Sequence, residues 1–133
     1  MHSFSYTPPL PTKPTSGPFT QKIVLTDGED QLGRATWHST EDAAGVTQIL
    51  ELWIDPAHRR SGLGRRLLLA LIEQARAYHR QHQRSLRRLW SGVGHKQQVI
   101  GRSFLTREGF HHIGSACGIL HDQDMLIYVK SLD

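Results

Sequence analysis

Arg59-Arg60-Ser61-Gly62-Leu63-Gly64 is the stretch whose residue types point most directly to chemistry: it is basic and glycine-rich. An apolar run, Ile49 to Ile54, precedes it and ends at the breaker pair Asp55-Pro56. After it, the block Leu67 to Ile72 continues at helical spacing to Ala75 and Tyr78, with Arg66, Glu73, Arg76 and Arg80 on a polar side. A strand feeding a glycine turn that opens a helix leaves the first helical N–H groups unpaired and aimed at one spot, which attracts phosphate. Gly62 and Gly64 have no Cβ, so the backbone there can approach a diphosphate closely or take positive φ, and Arg59, Arg60 and Arg65 add positive charge. An isolated G-x-G also serves as a plain turn among solvated arginines, so this spacing alone does not choose.

Glu51 is the second candidate, a carboxylate among Ile49, Leu50, Leu52 and Trp53. If it points inward it is partly desolvated, the environment of a general base; pointing outward, it is a solvated or salt-bridged strand residue. Strict alternation places Glu51 on one face with Ile49 and Trp53, and Leu50, Leu52 and Ile54 on the other.

No G-x-x-x-x-G-K-[ST] occurs, and no G-x-G-x-x-G with a later acidic partner. The stretch instead resembles the acetyl-CoA-binding motif of the GNAT superfamily of N-acetyltransferases, [Q/R]-x-x-G-x-[G/A] after a strand ending in a V-x-P-like turn. Ile54-Asp55-Pro56 stands for the strand end, and Arg59, Gly62 and Gly64 fill the defining positions. The resemblance extends to a second family signature, N-x-x-A-x-x-x-Y-x-x-x-G-F, which falls on Gln98 to Phe110. Gly109 and Phe110 match, whereas Gln98, Gly101 and Leu105 replace the asparagine, alanine and tyrosine.

The resemblance implies an α+β fold: a mixed, splayed β-sheet with helices on its faces, here with the N-terminal strand and helix pair shortened or missing. It implies acetyl-CoA as cosubstrate, its pantetheine arm pairing with the backbone of Leu52, Trp53 and Ile54 and its diphosphate on Arg59, Arg60, Ser61, Gly62, Leu63, Gly64 and Arg65, with Gln98 nearby. A backbone N–H of Ile54 or Trp53 would polarise the thioester carbonyl, Glu51 would take the amine's proton, and a primary amine of a small molecule or protein would attack directly. The family's tyrosine protonates the departing thiolate, which Leu105 cannot do. Solvent, Ser103, Thr106, Ser91 or Tyr128 are the substitutes, and a degenerate domain that binds acyl-CoA without efficient catalysis is the alternative.

The 133 residues fit one domain able to bury a core, expected from residue 21 to 133 behind a proline-rich arm over residues 1–20 that holds five of the six prolines. The single cysteine, Cys117, cannot form an internal bridge, which fits a cytoplasmic setting; no run is long enough to cross a bilayer, so no membrane partner is expected. The net charge is +4, and Arg76, Arg80 and Arg84 form one stripe if the helix runs that far, followed by Arg87 and Arg88. Such a stripe suits a polyanion, and a nucleic-acid-contacting module is a third reading. It is weakened because only Tyr78 and Trp90 lie among the arginines. His111 and His112 point to opposite faces of a strand and cannot chelate together, so no metal is expected. A homodimer is left open.

In order, strands are expected over 21–26, 32–38, 46–54, 86–93, 110–117 and 120–129, and helices over 61–82 and 96–107, the second with Val99, Ile100, Ser103, Phe104 and Thr106 inward.

Overall fold

The computed structural model describes residues 4–7, 19–39, 45–59, 61–93, 98–99, 101–120 and 123–132. Among them eight strands form one mixed sheet: β1 (Phe4–Thr7), β2 (Phe19–Asp27), β3 (Asp30–Ser39), β4 (Val46–Ile54), β5 (Arg88–Val93), β6 (Gln98–Val99), β7 (His111–Leu120) and β8 (Gln123–Ser131). The spatial order is β1-β2-β3-β4-β5-β8-β7, with β6 on β4. Strands β1 to β4 form an antiparallel meander, α1 (Leu63–Gln81) crosses over to the parallel strand β5, and α2 (Arg102–Arg107) precedes the β7–β8 hairpin. Within the proline-rich arm, expected to be an extended tail and not a helix, Phe4–Thr7 pairs as a strand against β2.

Helix α1 is organised by Leu63, Leu67, Leu68, Leu71, Ile72, Ala75 and Tyr78, all buried and recurring every three or four residues. They share one core with Ile23, Leu25, Leu32, Ala35, Trp37, Ile49, Leu52 and Ile54 of β2 to β4. Each buried leucine or isoleucine among them contributes roughly 1.5–3 kcal/mol by leaving water. Gly33 lets α1 and β3 close over the end of β4: a Cβ there would meet Trp53 O at 2.8 Å and the Ile54 side chain at 2.6 Å.

Two features depart from strict periodicity. Trp37 pairs with Ile49 and Thr36 with Glu51, so Leu50 is an extra, bulged residue on β4, 40% exposed. The bulge shifts the alternation: Ile49, Leu52 and Ile54 all reach the core, while Glu51 and Trp53 lie on the opposite face. The expected grouping of Glu51 with Ile49, and of Leu50 with Leu52, is corrected accordingly. The second departure is α2, which begins at Arg102 instead of Lys96. Residues 98–99 are extended, 94–97 and 100 lie outside the described residues, Phe104 and Leu105 are buried, and Ser103 and Thr106 are exposed.

The arginine stripe is also shorter than helical spacing suggests. Helix α1 ends at Gln81, the chain turns through Gln83 at φ 60°, and the Arg84 N–H bonds His79 O, leaving Arg76 and Arg80 exposed on the helix.

His79 is fully buried, with Nε2 2.9 Å from Thr47 Oγ1, which in turn lies 2.5 Å from Ser39 Oγ. Burial foremost, then the charges of Arg84 and His82, pushes its pKa down from 6.5 to about 4. The unfolded chain takes up this proton near pH 6.5 and the folded chain only near pH 4, so the neutral ring's contribution is present above pH 6.5 and is lost as pH falls toward 4. From pH 7 to pH 5 this single group should lower the unfolding free energy by about 2 kcal/mol. Urea titrations of wild type and His79→Leu at both pH values measure it: the wild type should lose that much more than the variant, and parallel losses would refute the assignment.

Candidate functional site

The site is built where β4 and β5 part. Their parallel pairing runs from Val46 opposite Arg88 to Ile49 opposite Ser91 and stops there; beyond it β4 continues to Ile54 and β6 pairs in the gap, Gln98 opposite Glu51 and Val99 opposite Leu52. The bulge at Leu50 coincides with the divergence, which bends β4 away from β5.

Backbone directions on β4 follow from its ladder with β3. The Asp55 N–H donates to Leu32 O at 2.8 Å, so Asp55, and two residues earlier Trp53 opposite Arg34, direct their backbone groups at β3. Leu52 and Ile54 turn theirs to the other edge, toward the gap. Of the three residues expected to offer backbone there, Leu52 faces β6, Trp53 faces β3, and Ile54 stands at the mouth of the gap.

After Ile54 the loop is held by local bonds. The Asp55 carboxylate accepts from the Ala57 N–H at 3.1 Å and caps a single 3-10 turn over Pro56–His58. Arg59 Nε donates to Ile54 O at 3.0 Å, and the Ser61 hydroxyl donates to His58 O. Gly62 then takes φ 83°, a left-handed conformation that suits glycine, and α1 begins with no side chain capping it. The first intrahelical bond runs from the Arg66 N–H to Gly62 O, so the N–H groups of Leu63, Gly64 and Arg65 have no partner within the helix.

These groups open on a cavity of about 790 Å³ between the start of α1 and α2, lined by Ile54, Arg59, Gly62, Gly64 and Arg65 on one side and by Gly101 to Phe104, Arg107 and Glu108 on the other. Arg65 reaches across it to the Glu108 carboxylate at 3.6 Å. N–H groups unpaired within the helix, a glycine corner with no described residue within 4 Å of a hypothetical Gly62 Cβ, and surrounding guanidinium groups are the features that accept a diphosphate.

Glu51 stands on the sheet face away from α1. Arg34 Nε donates to its Oε2 at 2.8 Å and Thr36 Oγ1 to its Oε1 at 3.2 Å, and the Arg34 guanidinium also lies over the Trp53 ring, 4.4 Å from its centroid. The carboxylate is thus held by polar partners instead of sitting among apolar ones, with a side-chain exposure of 19%. Two partners leave lone pairs for a proton or a water.

The structure gathers Ile54, Arg59, Gly62, Gly64 and Arg65 around one cavity; Leu63 turns its side chain into the core, Ser61 is exposed on the loop, Arg60 lies outside the described residues, and Gln98 pairs on β4 instead of opening a helix. Leu105, where the sequence resemblance would put a tyrosine, is fully buried. Of its substitutes, Ser91 is buried with its hydroxyl 3.4 Å from Ile49 O, Tyr128 is buried with its ring 5.3 Å from that of His112, and Ser103 lines the cavity. Periodicity missed Gly101, Arg102, Arg107 and Glu108. The two cations on α2 were the available signal. Among the described residues no cluster of metal-ligating side chains occurs; His112 Nε2 lies 2.9 Å from Gly114 O, and His121 is outside the described residues.

The family profile described as "Acetyltransferase (GNAT) family" matches residues 5–110. Similar solved structures include an acetyltransferase from Bacillus cereus (17% identity, 86% of this chain and 74% of that one, TM-score 0.64). Another is the ribosomal-protein-S18-alanine N-acetyltransferase of Escherichia coli (19% identity, 86% and 70%, TM-score 0.62). A third is the PaiA N-acetyltransferase of Thermoplasma acidophilum in complex with coenzyme A (15% identity, 85% and 61%, TM-score 0.64). No curated protein matches the chain.

Proposed function

The chain belongs to the GNAT family of acetyltransferases, whose cosubstrate is acetyl-CoA, and from that premise we propose that it transfers the acetyl group to a primary amine by direct attack on the thioester. The observation that carries this reading is the uncapped start of α1, opening on an arginine-lined cavity at the parted end of β4. Bound there, acetyl-CoA supplies an activated acyl group.

The chain's own residues divide the remaining work. The N–H groups of Leu63, Gly64 and Arg65 and the Arg59 guanidinium hold the diphosphate. The Ile54 N–H, on the edge facing the gap, is the donor positioned for negative charge developing on the carbonyl oxygen, in preference to Trp53, whose groups face β3. Glu51 receives the amine's proton, directly or through a water, while Arg34 and Thr36 fix its orientation. With Leu105, Ser91 and Tyr128 all buried, the departing thiolate takes its proton from solvent.

Leu105 in the core supports the second reading, an acyl-CoA-binding domain without efficient turnover. Two measurements separate them. Acetyl-CoA at about 100 times its Kd should stabilise the fold by about 2.7 kcal/mol under both readings. Release of free thiol with a panel of small amines and peptide N-termini should occur under the first alone. A melting temperature unmoved by acetyl-CoA contradicts both.

No described helix is long and apolar enough to cross a membrane.

A further inference from the structure

The cavity carries more positive charge than a diphosphate asks for. Among the described residues Arg59, Arg65, Arg102 and Arg107 line it against the one carboxylate of Glu108, which Arg65 engages at 3.6 Å. Arg59, held through Nε to Ile54 O, and the start of α1 serve one anion from one side. Arg102 and Arg107 stand on the opposite wall, exposed, and neither makes an ion pair with a described residue.

Helix electrostatics account for only one of these two. A cation in the last turn, where Arg107 sits, is favoured by the partial negative charge of the helix end; Arg102 is the first residue of α2, where a cation is disfavoured. No acidic residue stands in that first turn to engage Arg102, whose guanidinium is exposed on the cavity wall.

We infer that Arg102 and Arg107 form a second phosphate subsite that takes the 3′-phosphate of the cosubstrate's ribose, so that this chain discriminates coenzyme A from 3′-dephospho-coenzyme A. The inference rests on the acetyl-CoA reading and adds a specificity determinant to it. Across the cavity from the diphosphate corner, α2 is the remaining wall, and the 3′-phosphate is the one other phosphate that coenzyme A carries. Guanidinium groups on that wall meet a phosphate with charge-assisted hydrogen bonds.

Calorimetric titration of the wild type and of the double variant Arg102→Ala/Arg107→Ala with both ligands tests it. The wild type should bind coenzyme A about 10-fold or more tightly than the dephospho form. The double variant should lose that advantage for coenzyme A while holding the dephospho form as well as the wild type does. Both side chains are exposed, so the variant should fold, and circular dichroism is the check. Equal affinities of the wild type for the two ligands overturn the subsite while leaving the cosubstrate reading intact, as does a variant that weakens both ligands alike. Failure of both ligands to bind the wild type overturns the cosubstrate reading and the subsite with it.

Discussion

Gly62→Val should abolish productive acetyl-CoA binding, with affinity falling at least about 100-fold, or about 2.7 kcal/mol. Two effects act together. At φ 83° a β-branched side chain carries about 1–2 kcal/mol of strain, which is relieved only if the turn rotates and re-aims the N–H groups that follow. If the turn holds, the valine methyls occupy the space through which a diphosphate approaches. No described residue lies within 4 Å of the added Cβ, so packing among the described residues is spared and stability should fall by about the strain itself. Gly64→Val separates the two effects, because Gly64 lines the same cavity within α1 without a positive φ. Calorimetry decides: an unchanged Kd in Gly62→Val would show that the loop is an ordinary turn.

Glu51→Gln should lower kcat by roughly 10²–10⁴-fold, the usual contribution of a positioned general base, with acetyl-CoA affinity within about twofold of wild type. The amide is isosteric and its oxygen still accepts from Arg34 or Thr36, so the local arrangement at 2.8 and 3.2 Å has a replacement partner while proton uptake is lost. Steady-state rates measured with an amine acceptor from pH 6 to 9 give the answer. Wild-type turnover in the variant would make Glu51 a support for Arg34 and Trp53 and nothing more.

What could be read in advance follows how local the cause is. Helix α1 and strands β2 to β5 come from apolar periodicity and breaker residues, signals written within each segment, and the glycine corner comes from a short motif at a strand–helix junction. The bulge at Leu50 has no such signature: a leucine inside an apolar run looks like any strand residue, and only pairing with Trp37 and Thr36 shows that it is supernumerary. The extended conformation at Gln98 and Val99 is likewise imposed from outside, by an open edge of β4 that is distant in sequence. Proline content hid Phe4–Thr7, which needs only β2 as a template. Arg102 and Arg107 were visible as residue types but had no position until α2 was placed against the start of α1.

The short pairing of β6 on β4 governs where along its length a thioester cosubstrate can gain affinity. That edge has two claimants. An amide-bearing arm laid along Glu51 and Leu52 exchanges hydrogen bonds with Gln98 and Val99 instead of forming new ones, and such an exchange is nearly neutral in free energy. Under the proposed binding mode recognition is weighted toward the nucleotide end, and a truncated thioester lacking the adenosine portion should bind far more weakly than acetyl-CoA.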